Sequence, residues 1–566
     1  MLEGCVPWPP EFVDRYIAAG YWQPRLIGDV PSRTARTHGD REALVGGDLR
    51  LTYRELAVRV DRLAVGLHDL GLRPGERVLV QLPNLPEFLL LYFALARLGV
   101  LPIMALPPHR QAEISYLAEF GEAVAYFIPA RYRGFDYPAL ARELWPRLPA
   151  LRHTVVVGEP APDEPGFVPF NALLADVDAA EAASILSAYH PDPYDVALFL
   201  LSGGTTGLPK LIPRTHADYL YNSEASGDVA GFDANTVYLA VLPIAHNFPL
   251  ACPGAQATLM HGGKVVLAPT TEPEEVFRLI ERERVTHTSV VPAMAIAWLD
   301  HPARSRYDLS SLRVLQVGGA RLNPEVARRV RPVLGCTLQQ VYGMAEGLLN
   351  FTRLDDPDHV IEETQGRPVS PADEVRVVDD AGRDVPRGEL GELLTRGPYT
   401  IRGYYRAPEH NAAAFTPDGY YRTGDLVRQD AQGNFSVEGR KKDMINRGGE
   451  KISAEEVENH ILAHPSVHNV AVVAMPDPVL GERACAFVVL RPNATLTLPE
   501  LVTFLERRGI AKFKLPERLE ILDALPLTSV GKVSKQALRE RAAALVAAER
   551  GAASAPSGQA PGAAPR

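Results

Sequence analysis

Residues 201–216 read LSGGTTGLPKLIPRTH and follow an apolar, β-type run from Val196 to Leu200. Between positions 202 and 210 the stretch gathers one Ser, three Gly, two Thr, a Pro and a Lys before helix-compatible sequence resumes. That composition suits an anion. Gly203, Gly204 and Gly207 let backbone N–H groups crowd around a phosphate, Ser202, Thr205 and Thr206 add hydroxyl donors, and Lys210 adds a cation near a helix start. The G-x-x-x-x-G-K-[ST] phosphate loop does not fit, because Pro209 precedes the Lys and Leu211 follows it.

The 566 residues exceed what one core supports, and length alone predicts about three to four compact units. With 46% hydrophobic and 23% charged residues the composition is that of an ordinary globular protein. A net charge of -10 argues against a nucleic-acid surface, which needs excess Lys and Arg. Cys5, Cys252, Cys336 and Cys485 lie far apart with no C-x-x-C pair, so neither a zinc site nor a disulfide framework is expected, and a reducing cytoplasm is. MLEGCVPWPPEF lacks the basic and apolar regions of a signal peptide, so export is not expected. The apolar run Phe88 to Pro107 is long enough to raise a membrane span. It contains Arg97, Gly99 and Pro102, however, and divides into helix, turn and strand, so no membrane association is expected.

From Leu51 the pattern is mixed α/β. Leu56, Val60, Leu63 and Leu67 fall at helical spacing until Gly71, RVLVQLP reads as a strand, Phe88 to Leu98 as a helix and LPIMAL as another strand. This βαβ rhythm predicts layered sheets covered by helices. Strand-like runs recur at HTVVVG, VALFLL, VYLAVLPI, KVVLAP, HTSVVPA, RVLQVGG and TLQQVYG, with no solenoid period. After about Thr364 shorter spacing suggests a barrel-like subdomain. Polar GRKKD interrupts the pattern at 439–443. Beyond it, Ser453 with Glu456 and Thr497 with Glu500 read as capping boxes, and HNVAVVAM and RACAFVVL as strands. The expected fold class is α/β, with a large domain of layered sheets over residues 1–440, a small α+β domain over 441–545 and a disordered tail over 546–566.

Further stretches of the chain resemble, in order, the core motifs of the adenylate-forming superfamily of acyl-CoA synthetases, luciferases and peptide-synthetase adenylation domains. LSGGTTGLPK resembles its signature loop, PNLPEFLLLYFALARLGVLPIMALP a packing motif, and QVYGMAEG (340–347) its Y-G-x-T-E motif, with Ala345 in place of Thr. GELGELLTRG (388–397) resembles a structural motif, followed by YRTGDL (421–426), GRKKDMINRGGEKISAEEVE (439–458) and PLTSVGKVSK (526–535). Each has a plain alternative: a turn for Asp425, a solvated acid for Glu346, a surface cation for Lys532. Several in one order outweigh those alternatives.

The resemblance implies an enzyme that uses ATP and Mg²⁺ to form an acyl-AMP, then passes the acyl group to a thiol. It assigns Mg²⁺ to Glu346, a hard oxygen ligand, and ATP to the 202–210 loop, Gly319, Tyr342, Asp425 and Arg440. Asp425 offers two acceptors to the ribose hydroxyls. Lys532 is the adenylating cation, and Lys442 the hinge on which a mobile C-terminal domain turns.

IAHNFPLACPG (244–254) is expected to reach the acyl pocket. Amino-acid-selecting members carry an Asp that pairs with the substrate ammonium where this chain has Asn247, and an unpaired buried ammonium is costly. HNFPL resembles the aryl-acid branch, the stand-alone salicylate and 2,3-dihydroxybenzoate ligases. In that resemblance Asn247 meets the ortho hydroxyl, Phe248 packs on the ring, His246 lies at the edge, Gly318, Gly319 and Ala320 form a wall, and Val341 is a further substrate-binding residue. His246 has a plain alternative as a loop histidine satisfied by backbone groups. Dihydroxybenzoate members carry Ser and Val at the positions of Cys252 and Leu349, whereas salicylate members carry Cys and Leu, so salicylate is the expected acid. The implied thiol is the phosphopantetheine of a carrier protein in siderophore or related synthesis. A benzoate-type CoA ligase, a dihydroxybenzoate ligase and a non-catalytic relative remain the alternatives.

Overall fold

A computed structural model of the protein describes residues 1–159, 163–202, 209–448, 450–528 and 532–553. The chain forms two compact units, one of residues 1–423 with 427–437 and one of 424–426 with the chain from Glu438 onward.

The larger unit carries two α/β sheets. In the seven-stranded sheet the order is Leu211–Thr215, Val196–Leu201, Leu101–Met104, Arg77–Val80, Ala123–Pro129, His153–Val157 and Phe167–Pro169. Its strands run parallel except where Val196–Leu201 turns back antiparallel into Leu211–Thr215. The phosphate-type stretch therefore spans the connection of an edge hairpin. In the nine-stranded sheet, Thr337–Gly343, Val314–Gly318, His287–Val290, Val237–Ala240, Lys264–Leu267 and Glu42–Gly46 are parallel, with short antiparallel strands at both edges. Parallel strands buried on both faces read as near-continuous apolar runs, which is what VYLA, KVVL and VLQVG are.

The run that raised a membrane span is the helix Pro86–Leu98 and the strand Leu101–Met104. Pro86 starts the helix at its first turn, and Gly99 ends it in a left-handed conformation at φ 74°. Nearly every side chain of this helix is buried, which explains its all-round apolarity. Among the described residues no helix is long and apolar enough to cross a membrane. The helix expected from Leu56, Val60, Leu63 and Leu67 is Tyr53–Asp69, its start fixed by a Thr52–Glu55 capping box. The expected small β-rich subdomain is a four-stranded sheet ordered Glu374–Val378, Gly391–Arg396, Tyr421–Gln429 and Phe435–Arg440.

The smaller unit is built on the long hairpin Val467–Asp477 and Gly481–Leu490. Alternation along it supplies two cores: Val470 and Val472 pack with Val457, Ile461 and Leu501, while Ala471 and Val473 pack with Leu538 and Ala542. Two details differ from the sequence reading. Thr497 and Glu500 form the expected capping box, but at Ser453 only half of one exists. Ser453 Oγ accepts from the Glu456 N–H at 3.2 Å, while the Glu456 carboxylate holds Lys514 Nζ at 2.6 Å instead of returning to the helix start. The helix Lys535–Ala553 also runs past residue 546, where a tail was expected, because RAAALVAAER is made of strong helix formers.

Candidate active site

The hairpin 196–215 closes at Leu201 opposite Leu211, and the next pair seals the base of its connection. Ser202 N–H donates to the Lys210 carbonyl and Lys210 N–H donates to Ser202 Oγ, both at 3.0 Å. Residues 203–208, and with them the expected Gly203, Gly204, Thr205, Thr206 and Gly207, lie outside the described residues. The Lys210 ammonium stands 6.0 Å from the centre of the Tyr404 ring.

Tyr404 connects this cation with Glu346. Its hydroxyl donates to Glu346 Oε1 at 2.8 Å and stands 3.0 Å from the Tyr421 hydroxyl. Burial, with the Glu346 carboxylate next in effect, pushes the Tyr404 hydroxyl far above its ordinary range, so it stays a donor. Glu346 itself is 9% exposed, and its backbone carbonyl accepts from Ile401 N–H at 2.8 Å. Behind it Arg214, fully buried on the strand leaving the loop, donates from Nη1 to the Ala345 carbonyl at 3.0 Å and from Nε to Asp218 Oδ1 at 2.8 Å. Asp218 in turn accepts from Thr215 N–H and caps the helix His216–Val229. Arg214, held by its ion pair with Asp218, thus ties the strand leaving the loop to the turn that presents Glu346. Gly347 completes that turn at φ 159°, where a Cβ would lie 2.5 Å from Thr400 Cα.

The aryl-pocket candidates gather in two groups joined by the short helix Asn247–Ala251. In one, the Phe248 ring lies against Gly318: a Cβ there would meet Phe248 Cε1 at 3.0 Å and the Val341 carbonyl at 2.9 Å. Gly318 pairs with Val341 across the sheet, and Gly343 pairs with Leu349, whose Cδ2 fills the space a Gly343 side chain would take. In the other group, Asn247 Oδ1 accepts from the Tyr219 hydroxyl at 2.9 Å, and Cys252 Sγ accepts from Asn222 Nδ2 at 3.5 Å. Burial pushes the Cys252 thiol up to about 11, against hydrogen bonds from Asn222 and Asn247. His246 serves as the N-cap of the short helix, its Nδ1 accepting from Phe248 N–H at 3.2 Å. Gly319, at φ 84°, and Ala320 are exposed at the end of their strand, and Tyr342 is half-buried opposite Asn350.

In the smaller unit, Arg440 Nε lies 2.8 Å from Asp425 Oδ1, so the two residues expected at a ribose form an ion pair. Asp425 is 4% exposed, next to Gly424 at φ 69°. Lys442 sits exposed in the short turn Lys441–Asp443. Lys532 N–H donates to Thr528 Oγ1 at 3.2 Å, and its carbonyl accepts from Thr528 N–H at 2.6 Å.

Sequence reading missed Arg214, Tyr219, Asn222 and Tyr404. The first three lie in PRTHADYLYN (213–222), which overlaps the end of the quoted stretch, on a strand and helix whose polar side chains are buried. The helix His216–Val229 buries His216, Asp218, Tyr219, Asn222, Ser223 and Ser226, so no apolar stripe marks its inward face. The signal lay in the polarity itself, since buried polar groups must find partners.

The chain matches the family described as AMP-binding enzyme over residues 31–405, and the AMP-binding enzyme C-terminal domain over 456–532. It is 54% identical over 541 residues to a 2,3-dihydroxybenzoate-AMP ligase of Bacillus subtilis, covering 95% of this chain and 98% of that one. To a salicylyl-CoA synthase / salicylate adenylyltransferase of a Streptomyces species it is 55% identical over 539 residues, covering 95% and 97%. Its fold is similar to the apo structure of MbtA from Mycobacterium smegmatis, with a TM-score of 0.69 and 46% identity over 95% of this chain and 99% of that one. From the loop hairpin, the Glu346 turn and these similarities together, the chain belongs to the adenylate-forming, AMP-binding enzyme family of ATP-dependent ligases, close to its aryl-acid AMP ligases.

Proposed function

We propose that the protein is a salicylate-AMP ligase: it joins salicylate to AMP at the expense of ATP, releases pyrophosphate, and passes the salicyl group to the phosphopantetheine thiol of a carrier protein. Overall likeness does not choose the acid, because a dihydroxybenzoate ligase and a salicylate enzyme stand at 54% and 55% identity. The residues that carry the reading are the buried Cys252 beside Asn247 and the buried Leu349, whose Cδ2 lies against Gly343. A ring 3-hydroxyl placed there would meet a thiol, a weak hydrogen-bond partner, and a bulky methyl group.

The chemistry asks the protein to offset charge. A carboxylate attacks the α-phosphate only if both negative charges are screened and the two groups are held in line. In this reading Lys532 screens the carboxylate and α-phosphate, and the 202–210 loop with Lys210 holds the departing pyrophosphate. Asp425 and Arg440 serve the ribose, and Lys442 is the hinge for the thiol-transfer step. Among the described residues no group of three or more His, Cys, Asp or Glu side chains forms a metal cage. A single buried carboxylate, Glu346, fits Mg²⁺ instead, which is commonly bound through one or two carboxylates plus substrate phosphates. When bound, Mg²⁺ would neutralise phosphate charge, while Tyr404 and Arg214 keep the Glu346 turn in place.

The thiol acceptor is tested by supplying salicylate and ATP with either a phosphopantetheinylated aryl carrier protein or free coenzyme A. Faster acylation of the carrier supports the reading. Salicyl-CoA as the faster product would make the protein a CoA ligase with the same adenylating residues.

A further inference from the structure

We propose that Tyr219 is a specificity-determining residue: by holding one end of the Asn247 amide it selects aryl acids whose ortho substituent accepts a hydrogen bond over those whose ortho substituent donates one. The inference rests on the aryl-acid reading above. A primary amide has two unlike ends, a carbonyl that accepts and an NH₂ that donates, and a half-turn exchanges them. Which end faces the ring is therefore decided by what holds the other. Here the Tyr219 hydroxyl donates to Asn247 Oδ1 at 2.9 Å, which leaves the NH₂ group for Cys252 and for the ring.

Tyr219 can enforce this choice because it has nowhere else to place its proton. It is fully buried, the Arg214 guanidinium lies 4.7 Å from its ring centre, and its backbone carbonyl is fixed by Gln256 Nε2 at 3.0 Å. Burial pushes its hydroxyl well above the ordinary range, so it does not ionise. Among the described residues Asn247 Oδ1 is the only partner of that hydroxyl. Turning the amide over would bring NH₂ to the Tyr219 oxygen and leave the Tyr219 proton unpaired in the core, which is costly.

The consequence falls on the ortho substituent. In salicylate the 2-hydroxyl donates internally to its own carboxylate, and its oxygen lone pairs remain to accept from Asn247. In anthranilate the 2-amino group keeps a second N–H, and its lone pair is delocalised into the ring, so it meets Asn247 donor against donor. A site built for one hydrogen-bond sense rejects the other because a buried donor is left unpaired, worth about 5- to 150-fold in kcat/KM.

The test compares kcat/KM for salicylate, anthranilate and benzoate, by pyrophosphate release, in the parent, Tyr219→Phe and Asn247→Asp. The parent is expected to prefer salicylate to anthranilate by at least about 10-fold, and Tyr219→Phe to narrow that ratio by about 10-fold. Benzoate, with no ortho group, should change by less than about 3-fold, which a general loss of pocket structure would not allow. Asn247→Asp retains an acceptor for Tyr219 and turns a second acceptor to the ring, so it should shift the ratio toward anthranilate. It decides the matter if Tyr219→Phe does not fold. An unchanged salicylate-to-anthranilate ratio in the folded variants overturns the role of Tyr219 and leaves the aryl-acid reading standing. A parent inactive on all three acids overturns both.

Discussion

Exchanging Cys252 and Leu349 for Ser and Val should convert the pocket from one that excludes a ring 3-hydroxyl to one that accepts it. Cys252 is 1% exposed and its sulfur already accepts from Asn222 Nδ2 at 3.5 Å. A serine oxygen would keep that donor and add a strong partner for a substrate hydroxyl. Leu349 is 1% exposed and its Cδ2 occupies the space over Gly343, so Leu349→Val removes a methylene where the extra oxygen needs room. A buried hydroxyl without a partner costs about 1–3 kcal/mol, which is about 5- to 150-fold in kcat/KM. The parent should therefore favour salicylate over 2,3-dihydroxybenzoate by about that factor, and the double variant should erase or reverse it. The loss of one buried methylene costs about 0.5–1.5 kcal/mol of stability, small enough to leave a folded protein for assay. The assay is kcat/KM for both acids by pyrophosphate release, with melting curves for each variant. A parent that prefers 2,3-dihydroxybenzoate, or a folded double variant with an unchanged ratio, would refute the pocket argument while leaving the ligase assignment intact.

Lys532→Ala should lower acyl-AMP formation by about 10²-fold or more, as removal of a preorganised charge does, and spare thioester formation from supplied acyl-AMP; equal losses in the two half-reactions would contradict its role. Lys442→Pro should do the reverse, because proline fixes φ near about -65° at the expected hinge, and unimpaired transfer would place the hinge elsewhere. Arg214→Met leaves Asp218 buried without its cation and should cost about 3–5 kcal/mol, part of which Asp218→Asn restores. A double variant no more stable than the single one in thermal melts would show that the pair is not coupled. Burial lowers His216 from 6.5 to about 4, so the unfolded chain takes up a proton between those values that the native state does not. Its contribution is fully present above about pH 6.5 and is lost as pH falls toward 4, at about 1.4 kcal/mol per pH unit. His216→Asn, which keeps an acceptor for the Ile27 N–H, should flatten urea-unfolding stability by that slope across pH 4–6.5, and an unchanged slope would count against the burial argument.

The layered sheets were legible because their signals are local: apolar runs of strand length, helical spacing at Leu56 to Leu67, Gly99 where a helix must stop, and a Thr497–Glu500 box that needs only four residues of sequence. Lys210, Glu346, Asn247 and Cys252 were legible as candidates because each stands in an unusual cluster of residues. What holds those residues was not. Arg214 reaches Ala345 from far along the chain, Tyr404 reaches Glu346 from a separate segment, and Tyr219 donates to Asn247 from another helix. Such contacts depend on which polar side chains the fold buries together, and the helix His216–Val229 carries no periodicity that would have announced its inward face. At Ser453 a local pattern was overridden by a tertiary partner, Lys514, which took the carboxylate the motif required.

Aryl-acid activation is tested most directly by ATP–pyrophosphate exchange with Mg²⁺ across a panel of salicylate, 2,3-dihydroxybenzoate, benzoate and aliphatic and amino acids. Salicylate should drive the fastest exchange, with 2,3-dihydroxybenzoate slower by about 5- to 150-fold and amino acids near background. Exchange driven best by an amino acid or an aliphatic acid, with salicylate at background, would contradict the account.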